Sequence, residues 1–381
     1  MTQKTSDQII FIGGIFDEEY LGKENAISPA ANRWQKGFIE GLLSNNLDVK
    51  IISHIPQQVW PFGKLSSKAD RSAFLFENTI GINYLNIPLL KPPIISLKLV
   101  YKLFKLYKKS TQPLCLITYN GALDNTFASY FIQKCFKLKW IDLCADHYDP
   151  NRNWTNYNFL AKKAWGHIFL SNFAYKNAPF DKKYFLEGGF DMKPNISRPR
   201  NEKFIILYSG MMSKWGGIDL LLDGFKDIVL KDIELWICGH GNNQKLLNSA
   251  RNDRRIKYFG FVSNDKLHEL SLKADIFVNP RPSNINGNKM NFPSKVLEYL
   301  SYNKPIVSTW TPGLSDDYKD ILIIVDKEQP ENISKKILEV YNWQRSDYEA
   351  YHKKVLSFSV RKSWQYQIKL FLKWLKENTS K

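Results

Sequence analysis

Short apolar runs alternate along the chain with longer stretches whose apolar residues return every three or four positions. This is the pattern of buried strands and amphipathic helices in turn. Residues 9–14, Ile-Ile-Phe-Ile-Gly-Gly, predict a buried strand ending in a glycine turn. Ser28 and Pro29 predict a helix start, serine as N-cap and proline at the first helical position, with the helix over about residues 30–43. Residues 49–53, 114–118, 140–144 and 167–171 repeat the strand pattern, with a helix over about 122–136. Residues 194–200 are rich in proline and arginine and read as a linker. After them the alternation restarts: strands at 204–208, 235–238, 257–261, 276–279, 305–308 and 321–325, and a helix over about 217–225. Residues 362–376 close the chain as an aromatic-rich amphipathic helix.

Strand and helix in alternation, twice over, predict an α/β chain of two facing doubly wound parallel sheets of the Rossmann type. The expected division is a first domain over 1–195, a second over 201–355, and residues 356–381 as a C-terminal helix packing back on the first. With 381 residues, the chain is too long for one ordinary core, which agrees with two domains.

Composition narrows the class. Hydrophobic residues at 44% and charged residues at 24% belong to a folded soluble chain. The most apolar long stretch, 87–104, is broken by Lys91, Lys98 and Lys102, so no transmembrane helix is expected, and the polar start of the chain predicts no signal peptide. Cys115, Cys135, Cys144 and Cys238 form no C-x-x-C pair and sit among apolar residues. They read as buried free thiols of a reducing cytoplasm. The formal net charge of +17 asks for an anionic partner: a nucleic acid, an anionic membrane or a phosphorylated ligand.

Ligands of doubly wound sheets bind beyond the carboxyl ends of the strands. Three such ends in the second half stand out. Gly210 follows a strand, and Gly216 and Gly217 open the next helix, with Lys214 between them. Glycines there let the backbone approach a diphosphate, which a helix N-terminus favours, although an ordinary tight turn has the same spelling. Residues 278–282, Val-Asn-Pro-Arg-Pro, bring Arg281, and a polar loop leads on to Ser294, Lys295 and Glu298. A lysine in a first helical turn opposes the dipole unless an anion is bound there. Glu298 lies one turn beyond Ser294 on the same face, where a carboxylate can accept two hydrogen bonds from a vicinal diol such as ribose. Gly239 and Gly241 make a third, shorter turn.

In order, Tyr208-Ser-Gly210, the 217–225 stretch, Phe259-Gly-Phe261, Ala274-Asp-Ile-Phe-Val278 and Phe292-Pro-Ser-Lys-Val-Leu-Glu-Tyr-Leu300 resemble the donor domain of the family 4 glycosyltransferases, retaining enzymes of GT-B fold. Asn279-Pro-Arg-Pro282 and Phe292-Pro-Ser-Lys295 resemble the branch that builds bacterial surface polysaccharides. In the first half, only Glu187-Gly-Gly-Phe-Asp191 and the strand rhythm follow the family. The resemblance implies transfer of a sugar from a nucleotide-diphosphate sugar to a glycan or lipid-linked acceptor, with retention. Two departures are visible. Where the family commonly places an arginine and a lysine for the diphosphate, this chain has Met211 and Gly216, which leaves that role to Lys214 or Lys295 with Arg281. The first of the family's two glutamates falls on Met290, so backbone N–H groups of residues 288–292 are expected to replace it.

No D-x-D pair and no histidine pair with ligand spacing occurs, so the expectation is a metal-independent enzyme without a cofactor. For the acceptor, Asp146 and His147 follow a first-half strand and are the candidates to orient its hydroxyl. Gly13 and Gly14, with Asn32, Arg33 and Gln35 on the following helix, are candidates to reach acceptor or donor sugar. Residues 97–109 place Leu99, Leu103, Leu106 and Tyr107 on one helical face among Lys98, Lys102, Lys105, Lys108 and Lys109. That face is expected to lie on an anionic membrane, at the inner surface, because acceptors of the resembled branch are commonly lipid-linked. Packing of the same face on the domain is the alternative. Two other functions stay open: a nucleotide-sugar epimerase of the same fold, which would need more carboxylates at strand ends, and a basic nucleic-acid binder, for which no recognition motif is present.

Overall fold

The structure is a computed structural model and describes residues 7–21, 28–109, 114–146, 159–193 and 203–379. The expected linker at 194–200 therefore lies outside the described residues, as do His147 and the side chain of Lys109. The chain divides into two compact units. The first comprises Met1–Leu170, Ala174–Gly189 and Trp364–Lys381, and the second Ser171–Phe173 and Phe190–Ser363.

Among the described residues the first unit has nine strands: β1 (Gln8–Ile12), β2 (Asp48–Ser53), β3 (Ser66–Ser67), β4 (Ile80–Gly81), β5 (Tyr84–Leu85), β6 (Cys115–Tyr119), β7 (Trp140–Cys144), β8 (Gly166–Phe169) and β9 (Lys183–Phe185). Seven form a parallel sheet in the order β4-β2-β1-β6-β7-β8-β9, while β3 and β5 pair antiparallel apart from it. Every residue of β1 is buried, as a strand covered on both faces requires, and Ile9 sits level with Val49 and Cys115.

The predicted first helix runs over Pro29–Ser44, and the Ser28 hydroxyl accepts from the Ala31 N–H as its cap. Its buried face, led by Trp34 and Phe38, receives the C-terminal helix Trp364–Thr379: the Phe38 and Phe371 rings lie 6.1 Å apart, and Asn45 donates to the Gln365 carbonyl at 3.0 Å. The two backbones come so close that a Cβ at Gly37 would strike the Trp364 ring. This helix begins at Trp364 rather than at 356, because helix Arg345–Lys362 ends at Ser363 with extended backbone and belongs to the second unit.

Helix Lys91–Lys109 corrects the membrane face read from the sequence. Leu99 and Leu103 are buried core, with Ile95, and the helix packs along Leu123–Phe136. Ser96 donates to the Asp124 carbonyl at 2.8 Å at one end, and the Tyr107 and Phe136 rings lie 4.5 Å apart at the other. The residues left in solvent are others on the opposite face: Leu97 is 67% exposed and Tyr101 60%. No helix among the described residues is long and apolar enough to cross a membrane. Cys115, Cys144 and Cys238 are buried free thiols as expected; Cys135 is free but exposed.

The second unit holds β10 (Phe204–Ser209), β11 (Ile233–Cys238), β12 (Ile256–Tyr258), β13 (Ile276–Asn279), β14 (Ile306–Ser308) and β15 (Ile323–Ile324), all parallel in the order β12-β11-β10-β13-β14-β15. The winding reverses between β10 and β13, which opens a crevice beyond their carboxyl ends.

Candidate functional site

That crevice contains a cavity of about 170 Å³, lined among others by Gly210, Gly216, Arg281, Ser294 and Lys295. It is smaller than the few hundred Å³ that hold a whole organic ligand, and suits a diphosphate-sized group. Four of the candidate segments thus meet: the end of β10, the start of helix Ile218–Lys226, the end of β13, and the start of helix Lys295–Leu300.

Buried tyrosines fix this meeting point. Tyr299, on the short helix, stacks on Phe277 of β13 with ring centroids 4.4 Å apart. Its hydroxyl receives the Ser209 N–H at 2.9 Å and donates to the Ser209 carbonyl at 3.1 Å, which ties helix to strand end. Tyr208 donates to the Met211 carbonyl at 2.8 Å and holds the loop that follows β10. Gly217 has φ +77°, and a Cβ there would run into the Pro280 carbonyl; one at Gly239, φ +145°, would strike the Gly210 carbonyl. These glycines therefore let the three loops cross, a requirement of the protein itself before any ligand.

The charges are arranged unequally. Arg281 is largely buried; its Nε donates to Asn288 Oδ1 at 3.0 Å, and no carboxylate lies within ion-pair reach among the described residues. Burial lowers its pKa, and the nearby Tyr208 opposes that shift. A guanidinium so placed stays protonated and has donors left for an anion. Lys295 pairs with Glu298 at 2.8 Å, Glu298 being only 11% exposed and Lys295 33%. Pairing with Glu298 thus answers the dipole conflict at Lys295 without a ligand. Ser294 caps the helix without a side-chain bond and is exposed. Lys214 is exposed and does not line the cavity. The N–H groups expected to replace the missing glutamate are largely engaged: Asn288 and Lys289 donate to the Ile285 carbonyl and Asn291 to Gly287, within and just after the helical turn Asn286–Met290.

Asn288 is the residue that sequence reasoning missed. Fully buried, it donates to the carbonyls of Trp215 at 3.0 Å and Pro282 at 2.9 Å while accepting from Arg281. It sits in a run of polar loop residues, Asn284-Ile-Asn-Gly-Asn288, where nothing marks one asparagine over another.

The first-unit candidates fare differently. Asn32 and Gln35 are buried, 5% and 3% exposed, and their amides hold the turn after β1. Phe16 N–H donates to Asn32 Oδ1 at 2.7 Å and Asn32 returns a bond to the Phe16 carbonyl; Gln35 does the same for Gly14 at 3.0 Å each way. They clamp the Gly13-Gly14 loop and are not available to a sugar. Arg33 is exposed on the same helix. Asp146, at the end of β7, is exposed and receives the Asn120 amide at 3.0 Å, while Asn120 also accepts the Ala145 N–H. Among the described residues, no three His, Cys, Asp or Glu side chains come together to hold a metal ion.

Two doubly wound parallel sheets in one chain, with a C-terminal helix returned to the first unit, are the architecture of the GT-B fold. Residues 190–355 match the family described as glycosyl transferases group 1. That match supports an enzyme that transfers glycosyl groups. Among curated protein sequences none matches the chain. Solved structures agree along its length: a glycosyltransferase from Rickettsia africae ESF-5 is 16% identical with a TM-score of 0.71, over 98% of this chain and 99% of that one. The apo lipopolysaccharide outer core galactosyltransferase WaaB gives 13% and 0.64, over 97% and 99%. Anabaena Alr3699/HepE, in complex with UDP and glucose, gives 12% and 0.64, over 96% and 99%. At such identities these neighbours establish the fold.

Proposed function

We propose that the chain is a retaining, metal-independent hexosyltransferase of the family 4 type, using a nucleotide-diphosphate sugar as donor. The observation that carries this reading is Arg281: a largely buried cation without a carboxylate partner among the described residues, lining a cavity at the switch point of the second sheet. The breaking bond joins the sugar's anomeric carbon to a diphosphate oxygen, and negative charge grows on that oxygen. Arg281 and Lys295 stabilise it by preorganised charge, which asks for no metal. The acceptor hydroxyl attacks the same carbon on the face the diphosphate leaves, and its proton passes to the departing oxygen. Glu298 grips the donor ribose once Lys295 turns to the diphosphate. In this reading the first unit takes the acceptor, with Asp146 orienting its hydroxyl.

The Anabaena neighbour's UDP and glucose support a nucleotide-sugar donor, and the likeness to a lipopolysaccharide outer core galactosyltransferase supports a role in surface polysaccharide or glycolipid assembly. We place the enzyme in the cytoplasm, at an anionic membrane carrying a lipid-linked acceptor. The apolar surface for this is the exposed face of Leu97, Tyr101 and Phe104, with Leu123, Phe127 and Phe131 of the neighbouring helix.

The test is a screen of UDP, GDP and ADP sugars for thermal stabilisation, followed by turnover with the best donor in EDTA and determination of the product anomer. Stabilisation by one nucleotide class, EDTA-resistant turnover and a retained anomer are expected. An inverted product, or activity restored only by Mn²⁺, would overturn the corresponding part of the mechanism.

A further inference from the structure

A second, larger cavity lies in the first unit. It measures about 490 Å³ and is bounded by the edge strand β4, the segment around Arg71 and the last turns of helix Lys91–Lys109. That volume is in the range of a small organic ligand. Arg71, Lys102 and Lys105 line it, and none of their three side chains has a hydrogen bond or ion pair among the described residues. One carboxylate, Glu77, lines it too, also without an ion-pair partner. Three cations against one anion leave a net positive wall.

The cavity is built rather than incidental. The Ala69 N–H donates to Asn83 Oδ1 at 2.5 Å, and a Cβ added to Gly81 would strike Ala69, so loop and strand are held in close register. Thr79, at the start of β4, is 7% exposed and lines the cavity, and its hydroxyl is buried with no partner. A buried hydroxyl left without a partner is costly, and a turn of the side chain toward the cavity would let a ligand oxygen satisfy it. Lys102 and Lys105 were read from the sequence as flanks of a membrane stripe; the structure turns them to this cavity instead.

We propose that this cavity is a second anion site, taking the phosphate ester of a polyol. The cations and the Thr79 hydroxyl bind phosphate oxygens, and Glu77 accepts a hydroxyl of the polyol, which a bare phosphate would not offer. Two sources share that chemistry: the headgroup of an anionic lipid and a soluble sugar phosphate. The exposed Leu97 and Tyr101 on the same helix give the lipid source a place for its chains. The site is separate from the switch-point cavity and does not depend on the glycosyl-transfer reading.

Calorimetric titration of the full chain at low salt, with glycerol 1-phosphate and with dihexanoylphosphatidylglycerol below its micelle concentration, tests the proposal. Saturable binding is expected, weakened at least about tenfold by Lys102→Ala with Lys105→Ala and unchanged by Lys353→Ala with Lys354→Ala, an exposed pair on the second unit. Equal affinity for both probes assigns a soluble ligand; binding of the lipid alone assigns a headgroup. UDP affinity should not change in either double variant. If the Lys102/Lys105 variant fails to fold by circular dichroism, Arg71→Ala, an exposed position, takes its place. The proposal is overturned if neither probe saturates, or if the control pair weakens binding as much as the cavity pair.

Discussion

Both sheets reverse their winding beside a first strand that is followed by glycine, β1 by Gly13 and β10 by Gly210, yet the two switch points are finished in opposite ways. In the first unit, the amides of Asn32 and Gln35 fold back on the Gly14 and Phe16 backbone and use their hydrogen bonds on the chain itself. In the second, Tyr208, Tyr299 and Asn288 do the clamping, and Arg281 is left lining a cavity with a neutral amide as its side-chain partner among the described residues. A common topology provides the crevice. Which crevice becomes a charged site depends on where a cation is left without a counterion.

The second switch point is most sensitive at Gly217. Its positive φ and its contact with the Pro280 carbonyl leave no room for a side chain. Gly217→Val should destabilise the second unit by roughly 3 kcal/mol or more, through left-handed strain and overpacking, and should remove nucleotide binding with it. Urea unfolding with parallel binding titration reads both; a variant as stable and as competent as wild type would show that the loops do not cross as described.

A second effect of similar size is confined to the first unit and appears with pH. His167 is buried, stacked on Phe180 at 3.7 Å, with its ring nitrogen against the Ala161 carbonyl at 3.0 Å; burial lowers its pKa to about 4. The unfolded imidazole takes up its proton near pH ~6.5, so acid favours unfolding. The contribution is whole above that pH and is lost as pH falls toward 4, on the order of 3 kcal/mol in all. The urea midpoint should fall over that window, and His167→Phe should flatten the fall. An unchanged slope in the variant would point to other groups.

Smaller still are the clamps. Asn32→Ala should lower stability by about 1–3 kcal/mol, because it strands the Phe16 N–H, while leaving nucleotide affinity intact. Equilibrium unfolding and nucleotide titration on the same sample decide it. Loss of affinity without loss of stability would return Asn32 to the ligand site.

The sequence carried the strands well because buried parallel strands are unbroken apolar runs: β7 and β13 lie where the pattern put them. It did not reveal β4, only two residues long, or β9, which mixes Lys183 with two aromatics and is half-buried. The stripe of Leu99 and Leu103 has the same period whether a membrane or a neighbouring helix covers it, and only packing on Leu123–Phe136 decides. In the candidate site, Gly210, Gly216, Arg281, Ser294 and Lys295 were legible because strand ends and helix starts announce themselves. Asn288 was not, since a loop asparagine gains its meaning from partners distant in sequence, here Trp215.

Diphosphate binding at the second sheet's switch point centres on Arg281, and the most direct measurement is calorimetric affinity for a nucleoside diphosphate and for its parent nucleoside, in wild type and in Arg281→Ala. UDP and uridine serve unless the donor screen selects another base. Loss of a charged hydrogen bond to the diphosphate should weaken UDP about ten- to a hundredfold and leave uridine unchanged. UDP binding as tight in the variant as in wild type, or an equal fall for uridine, would contradict the placement of the diphosphate at the β10–β13 switch point.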